Sequence, residues 1–138
     1  MKNYKVCLSL ALVCIVMISI ASSAFAAPDP GKPASLGTNA KVFTYRNSID
    51  TDTCWSSNGG AITVRFTGLK CSKGSGIIDV VMYKYNDGWE YVTTRSVPVG
   101  STPASCSVSF PRVVAKTPLF FKMYGVGGAA ISGSIIPH

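Results

Sequence analysis

Residues 76–97 constrain the fold of this chain more than any other stretch. Two runs of β-branched and aromatic residues, 77–85 and 89–97, flank the short segment Asn86-Asp87-Gly88. Asn, Asp and Gly tolerate positive φ and are favoured in the tight turns that join antiparallel strands. The pattern therefore predicts a β-hairpin.

Alternation along the first run of this hairpin brings apolar atoms to both of its faces. Ile78, Val80 and Met82 form one set, and Tyr83 and Tyr85 fall among the other positions. Because successive side chains of a strand point to opposite faces of a sheet, both faces are rich in apolar surface. The hairpin is therefore predicted to be a central strand pair with a core beneath it.

Five further runs have the composition of short strands, and none has a helical period. In the run 61–67, for example, Ile62 and Val64 are predicted to face inward and Thr63 outward. Pro, Gly and Asn separate these runs, which span 41–46, 61–67, 106–110, 119–124 and 129–136. The chain is therefore predicted to be all-β, a small antiparallel β-sandwich or barrel of about seven strands.

The N-terminus has the pattern of a secretory signal peptide. Lys2 and Lys5 precede the apolar run 6–20, and the small residues Ala24 and Ala26 follow it. This order of charge, apolar core and small residues predicts cleavage after Ala26 and a secreted, extracellular protein. An uncleaved anchor helix is the alternative, since the apolar stretch is barely long enough to span a bilayer.

The remaining chain divides into a leader and one domain. Residues 1–26 form the predicted signal, 27–39 a flexible Pro/Gly-rich leader, and 40–138 a single β domain. Without the signal, eleven basic residues stand against six acidic ones, a net charge of +5. This charge favours anionic surfaces, although charge also serves solubility. The predicted partner is an anionic or glycan cell surface or a host receptor. We expect a monomer with no nucleic-acid partner and no stable membrane insertion.

Three cysteines follow the predicted signal, and one disulfide is expected in an oxidising compartment. If the strands from 61 to 110 form a meander, Cys71 and Cys106 lie at the same end of one sheet. Cys54 precedes a strand that carries the chain roughly 25–30 Å away, at about 3.3 Å per residue. The disulfide is therefore predicted between Cys71 and Cys106, with Cys54 buried, unless residues 47–60 fold back across the sheet.

The residue inventory argues against catalysis and against a metal or cofactor. His138 is the only histidine and the last residue, where chain ends are usually frayed, and Glu90 is the only glutamate. The three cysteines lack the spacing of a zinc site. Asp50 and Asp52 are spaced like calcium ligands, but the glycine and the distal glutamate of such a loop are missing. The protein is predicted not to be an enzyme, with no catalytic residue, metal or cofactor.

One surface is the remaining candidate for function. Aromatic side chains gather at one end of the hairpin beside cations, and such a group can stack on sugars or sit at a membrane interface. A second sheet or residues 47–60 could instead cover these rings as ordinary core. The candidate binding residues are Tyr83, Lys84, Tyr85, Trp89, Tyr91 and Arg95.

Three classes of function are compatible with these features. They are a secreted cationic effector acting on other cells, a free carbohydrate-binding or cell-wall-binding β-sandwich module, and a secreted inhibitor or matrix protein. An exposed aromatic strip would favour the second class. A protruding loop, for which residues 98–106 are the candidate, would favour the third.

A compositional resemblance favours the first class. The signal peptide, the Pro/Gly leader and the stretch Ile131-Ser132-Gly133-Ser134-Ile135 make the chain similar to small secreted β-proteins of spore-forming Gram-positive bacteria. Some of those proteins are elicitors of plant immunity that trigger a hypersensitive response. The resemblance implies a cationic, non-enzymatic effector, either an elicitor of plant defence or an antimicrobial protein, and it assigns no functional residue.

Overall fold

The computed structural model describes residues 27–138, which form ten β-strands and no helix. The predicted signal peptide, with Cys7 and Cys14, lies outside the described residues. Across residues 27–138 no helix is long and apolar enough to cross a membrane. The strands are β1 (Ala34–Ser35), β2 (Lys41–Tyr45), β3 (Ser48–Asp50), β4 (Trp55–Ser56), β5 (Ile62–Cys71), β6 (Gly76–Tyr85), β7 (Trp89–Val99), β8 (Ala104–Phe110), β9 (Pro118–Tyr124) and β10 (Ile131–Pro137).

The strands form two sheets that enclose one core. The six-stranded sheet has the order β1-β4-β9-β6-β7, with β3 also paired to β9. The four-stranded sheet has the order β2-β10-β5-β8. All pairs are antiparallel except β1 with β4. The fold is a two-sheet β-sandwich, which confirms the predicted fold class and decides it in favour of the sandwich over the barrel.

The core lies between the sheets and follows the period-2 pattern of the strands. Ile78, Val80 and Met82 of β6 are fully buried, as are Ile62 and Val64 of β5. Burying each such side chain stabilises the fold by roughly 1.5–3 kcal/mol. The inward positions predicted for these two strands are therefore confirmed.

The central hairpin is present with the predicted turn. β6 and β7 pair from Gly76 and Val99 at one end to Tyr85 and Trp89 at the other. Asp87 has a φ of 55°, and the amide of Asn86 donates to the carbonyl of Gly88 at 2.8 Å. One extra residue in β7 forms a bulge between the Met82 and Tyr83 pairs, so the alternation of β7 changes phase there.

Three short strands were not predicted, and they alter the organisation of the chain. The segment 27–39, predicted as a flexible leader, contains β1 and donates from the Gly37 amide to the carbonyl of Pro137 at 2.7 Å. The polar segment 47–60 contains β3 and β4. Trp55 of β4 is fully buried, and its Nε1 donates to the Thr38 carbonyl at 2.9 Å. Both segments therefore belong to the packed domain.

The predicted disulfide between Cys71 and Cys106 is absent, since all three cysteines of residues 27–138 are unpaired. The meander assumption was wrong, because the chain changes sheet between β5 and β6 and again between β7 and β8. Cys106 pairs across from Phe66, five residues from Cys71 along β5. At about 3.3 Å per residue this offset far exceeds the roughly 7 Å that a disulfide allows between Cα atoms.

Cys54 and His138 are both held in place by hydrogen bonds. Cys54 is buried as predicted, and its thiol donates to the Asp29 carbonyl at 3.0 Å. Burial raises the pKa of this thiol. His138, expected to be frayed, exchanges two backbone hydrogen bonds with Thr63, at 2.7 and 3.1 Å.

Candidate functional site

The outer face of the six-stranded sheet carries an array of aromatic side chains, which we call the aromatic face. Three rows of cross-strand neighbours define it. In the first row Phe120, Tyr83 and Tyr91 stand side by side on β9, β6 and β7. Adjacent strands lie about 4.8 Å apart, so this row is roughly 10 Å long. Tyr85 and Trp89 pair next to the hairpin turn and add two further rings beyond this row.

The rings of the first row hold one another in place. Tyr83 stacks on Phe120 with centroids 4.9 Å apart and 10° between the planes. Trp89 meets Phe120 edge-to-face at 4.6 Å, and Tyr91 meets Tyr83 at 6.4 Å and 80°. Such pairs add about 0.5–1.5 kcal/mol each beyond the area they bury. Phe120 is 4% exposed whereas Tyr91 is 60% exposed, so the array has a covered centre and an open rim.

The second row is polar and lies directly beside the rings. Asp50 of β3 pairs across from Lys122 of β9, which pairs in turn with Val81 of β6. The Lys122 Nζ lies 3.7 Å from Asp50 Oδ1 and 5.5 Å from the centroid of the Tyr124 ring. Asp50 Oδ1 is buried and has no hydrogen-bond partner among residues 27–138. A carboxylate and an ammonium thus stand next to aromatic rings on one face.

The phenol of Tyr83 lies within electrostatic reach of this polar row. Burial raises its pKa, with smaller upward contributions from Tyr124 and the Asp50 carboxylate, while the Lys122 ammonium lowers it. The Tyr83 hydroxyl is therefore protonated at neutral pH and can donate a hydrogen bond.

The third row completes the face with Tyr124 of β9, Asp79 of β6 and Ser96 of β7. Asp79 differs from Asp50 in being satisfied, because it accepts a hydrogen bond from the Ser96 hydroxyl at 2.7 Å. Tyr124 is 40% exposed. The two most exposed rings, Tyr91 and Tyr124, therefore flank the polar row on opposite sides.

Strand β3 is fixed at both of its ends, which places Asp50. The amide and the hydroxyl of Thr51 bond the Phe121 backbone at 2.8 and 3.0 Å. At the other end, the Gly125 amide donates to the Asn47 carbonyl at 2.6 Å. A Cβ at Gly125 would collide with the backbone oxygen of Arg46, so only glycine allows this approach.

The opposite face of the sandwich has a different composition. On β5 Thr63 and Thr67 point outward with Arg65 between them, and Lys70 follows in the row of Ser132. We call this outer surface the hydroxyl face. Its small polar side chains are Thr44, Thr63, Thr67, Ser107, Ser109, Ser132 and Ser134.

Four of the six predicted binding residues come together on the aromatic face, and two do not. Tyr83, Tyr85, Trp89 and Tyr91 share it, and all four are at least partly exposed, so neither a second sheet nor residues 47–60 cover them completely. Two predicted cations lie on the other side of the sheet, as the alternation of the strands requires.

Lys84 alternates with its tyrosine neighbours and pairs with Glu90 at 3.3 Å. Arg95 shares a face with Val80, and its Nε donates to the Ser109 carbonyl of β8 at 3.0 Å. Arg95 therefore closes the edge between the two sheets and takes no part in the aromatic face. The cation that does stand beside the rings is Lys122.

Sequence reasoning missed Phe120, Lys122 and Tyr124 of β9 and Asp50 of β3 as site residues. The run 119–124 alternates between Leu119, Phe121 and Met123 on one side and the site residues on the other. Since both sets are largely apolar, the pattern predicts a strand without identifying its outer side. Lys122 is the one residue in that run that indicates which side faces outward, because a charged side chain seldom faces a core.

A groove of about 460 Å³ opens at the hairpin end of the sandwich, and Tyr85 of the aromatic face is among its lining residues. Lys84 and Val92 line one wall, and Arg112 and Val114 the other. Its two cations already have partners, since Lys84 pairs with Glu90 and the Arg112 Nε donates to the Gly59 carbonyl at 2.8 Å. The aromatic face is therefore the stronger candidate.

Metal ligation has no candidate cluster in the part of the chain that the structure describes. Among residues 27–138, no group of three or more His, Cys, Asp or Glu side chains could hold an ion. Asp52, one of the two spaced carboxylates, is exposed and pairs with Lys41. The absence of enzymatic activity remains a prediction from sequence.

The fold belongs to the class of two-sheet β-sandwiches. Comparisons with known proteins assign the chain to no family. No family model matches the chain, and no curated protein matches it. A solved structure described as "CBM4 structure and function" is similar with a TM-score of 0.47 and 13% identity, over 66% of this chain and 61% of that one. TmCBM61 in complex with β-1,4-galactotriose is similar with a TM-score of 0.38 and 15% identity, over 72% and 69%.

The chain thus spans less than two thirds of the length of the CBM4 structure. At these TM-scores neither similarity carries a conclusion about function.

Proposed function

We propose that the domain is a non-enzymatic carbohydrate-binding β-sandwich and that the aromatic face binds the glycan. The observation that carries this proposal is the row of rings at Phe120, Tyr83 and Tyr91 beside the polar pair of Asp50 and Lys122. Sugars present apolar C–H surfaces and hydroxyl groups together, so a site for them needs aromatic surface and a few placed polar groups.

The exposed rings are the anchors in this proposal. Tyr91 is 60% exposed, and its hydroxyl lies 3.2 Å from the Thr94 hydroxyl, which restrains the ring. Tyr124 is 40% exposed beside Lys122. A restrained ring loses little conformational entropy when a sugar packs on it, and that favours affinity.

Calorimetry with neutral oligosaccharides of glucose, galactose, mannose and xylose tests the proposal. At least one should bind, and replacing both Tyr91 and Tyr124 by Ala should weaken it at least tenfold, since each lost contact is worth on the order of 1 kcal/mol. Val42→Ala is the control, because Val42 is 75% exposed and lies on the hydroxyl face. Absence of binding to every sugar, or equal losses in the control, would contradict the proposal.

The secreted cationic effector predicted from sequence is a separate proposal. A glycan-binding surface is compatible with it, because a cell surface presents glycans. To separate the effector proposal from glycan binding, the purified protein and its Tyr91/Tyr124 double Ala variant can be applied to leaf tissue and to bacterial cells. An effector that acts through the aromatic face loses its response in the variant.

A further inference from the structure

The positive charge of this protein is not on the aromatic face. Eleven basic residues against six acidic ones follow position 26. The charged side chains that the described strands place on the aromatic face are Asp50, Asp79 and Lys122, which sum to one negative charge. An anionic ligand on this face would therefore not meet the excess positive charge of the domain.

Asp50 is the group on this face whose buried carboxylate oxygen lacks a hydrogen bond, although the carboxylate is ion-paired with Lys122. The Asp50 side chain is 9% exposed, and its Oδ1 accepts no hydrogen bond from residues 27–138. Buried polar atoms are nearly always hydrogen-bonded, and a buried acceptor without a hydrogen bond costs stability, more so when it is charged. Asp79 on the same face, which the Ser96 hydroxyl satisfies, shows that the sheet can supply such a donor.

Lys122 and Asp50 form an ion pair but do not hydrogen-bond each other, so both groups can still form hydrogen bonds with a ligand. The Lys122 Nζ lies 3.7 Å from Asp50 Oδ1, beyond hydrogen-bond distance, and the Lys122 side chain is 31% exposed. The ammonium has three donors and the carboxylate only acceptors. A sugar hydroxyl both donates and accepts, so adjacent hydroxyls can donate to Asp50 and accept from Lys122 at the same time.

Building on the proposed function, we propose that Asp50 and Lys122 are a hydroxyl-reading pair that makes the aromatic face specific for neutral sugars and excludes acidic ones. A neutral sugar offers hydroxyl groups that can donate a hydrogen bond to the Asp50 carboxylate, whose side chain is 9% exposed. A uronic acid brings a carboxylate, which has no proton to donate and stands beside Asp50 and Asp79. This specificity is the opposite of what the net charge of the chain suggests.

The test compares matched pairs of oligosaccharides of equal length by calorimetry. The pairs are β-1,4-glucan with β-1,4-glucuronan, β-1,4-mannan with β-1,4-mannuronan, and methyl-esterified with free galacturonan, which differ in charge at C6. The wild-type protein should bind the neutral member of a pair at least ten times more tightly. Equal or tighter binding of the acidic member would overturn the inference.

Asp50→Asn keeps the shape of the side chain and removes its charge. We expect a tenfold or greater loss of affinity for the neutral sugar and a smaller preference for neutral over acidic members. Lys122→Gln should also weaken neutral binding. Asp52→Asn is the matched control, because Asp52 is exposed and pairs with Lys41 away from the rings; it should bind as the wild type does.

Thermal unfolding shows whether Asp50 acts in sugar recognition or in stabilising the fold. The midpoint of Asp50→Asn should stay close to that of the wild type, since relief of the buried charge offsets the loss of its ion pair with the partly exposed Lys122. A lowered midpoint with equal losses for every sugar would make Asp50 structural and overturn the inference. Binding that depends on Tyr91 but not on Asp50 would overturn the inference alone, whereas no binding to any sugar would overturn the proposed function with it.

Discussion

The two outer faces of this sandwich are built on the same backbone pattern and differ in what covers them. On the aromatic face, large rings pack against one another, so that Phe120 is 4% exposed although it points away from the core. On the hydroxyl face, Thr67 and its neighbours are short and meet solvent directly. An outward position is therefore not the same as an exposed one, because side-chain size decides how much of the sheet is covered.

The faces also differ in charge. The strands place Asp50, Asp79 and Lys122 on the aromatic face, whereas Arg65 and Lys70 of β5 lie on the hydroxyl face. Ligand chemistry can therefore differ between the faces of one domain. A net charge counted from the sequence averages over both and describes neither.

The largest expected effect concerns the covered centre of the aromatic face. Phe120→Ala should cost roughly 3–5 kcal/mol in the free energy of unfolding, because it removes a buried ring and leaves a cavity between Tyr83 and Trp89. Thr67→Ala, outward on the hydroxyl face, should change it by less than about 0.5 kcal/mol. Urea unfolding measures both. Similar midpoints for the two variants would break the comparison.

A second prediction concerns the strand that brings Asp50 to the aromatic face. Gly125→Ala should cost about 1–3 kcal/mol, since its Cβ would collide with the Arg46 backbone and push β3 away from β9. Glycan affinity should fall with it. Gly88→Ala is the control, because nothing lies within 4 Å of the added Cβ. Urea unfolding and calorimetry of both variants check the prediction; unchanged affinity in Gly125→Ala would show that β3 does not position the site.

A third, smaller effect compares a tyrosine beneath the hydroxyl face with one on the aromatic face. Burial raises the pKa of Tyr45 above its ordinary value of 10.0, and the pKa of Tyr83 is raised less. A phenol whose pKa is raised by folding stabilises the protein fully below pH 10, and that stability is lost as the pH rises further. Each such group contributes a fall of up to about 1.4 kcal/mol per pH unit.

Tyr45→Phe should therefore flatten the loss of stability above pH 10 more than Tyr83→Phe does. Urea midpoints measured at pH 9, 10 and 11 give the slopes. Equal slopes in the two variants would mean that the core and the aromatic face bury their phenols alike.

Sequence alone predicts the strands well, because Ile62, Val64 and Val80 lie in clear alternating or β-branched runs. It does not predict which strands share a sheet. Local patterns carry no information on whether the chain crosses from one sheet to the other after Cys71, and the predicted disulfide depended on that. Short strands such as β3 and β4 are not predicted for another reason, because two or three residues are too few to show an alternating pattern.

The candidate site was predicted in part for the same reasons. Tyr83, Tyr85, Trp89 and Tyr91 lie on one hairpin, so their proximity follows from local sequence. Phe120, Lys122 and Asp50 reach the site through pairing with β6 and β9 over long distances in sequence. Lys84 lies between two tyrosines in the sequence, but the alternation of β6 places its side chain on the opposite side of the strand.

The smallest expected effect is that of salt, and it tests the difference in charge between the faces most directly. Exposed charges are screened over about 8–10 Å at ordinary ionic strength and over less at higher salt. Retention of the protein on a cation exchanger should therefore be lost as NaCl rises from about 0.05 to 0.5 M, and Arg65→Gln with Lys70→Gln should shorten it. Affinity for a neutral sugar on the aromatic face should change by less than about twofold over the same range, because ring packing and hydrogen bonds to hydroxyls are not screened. A glycan affinity that falls in parallel with retention would place the binding surface among the cations of the hydroxyl face.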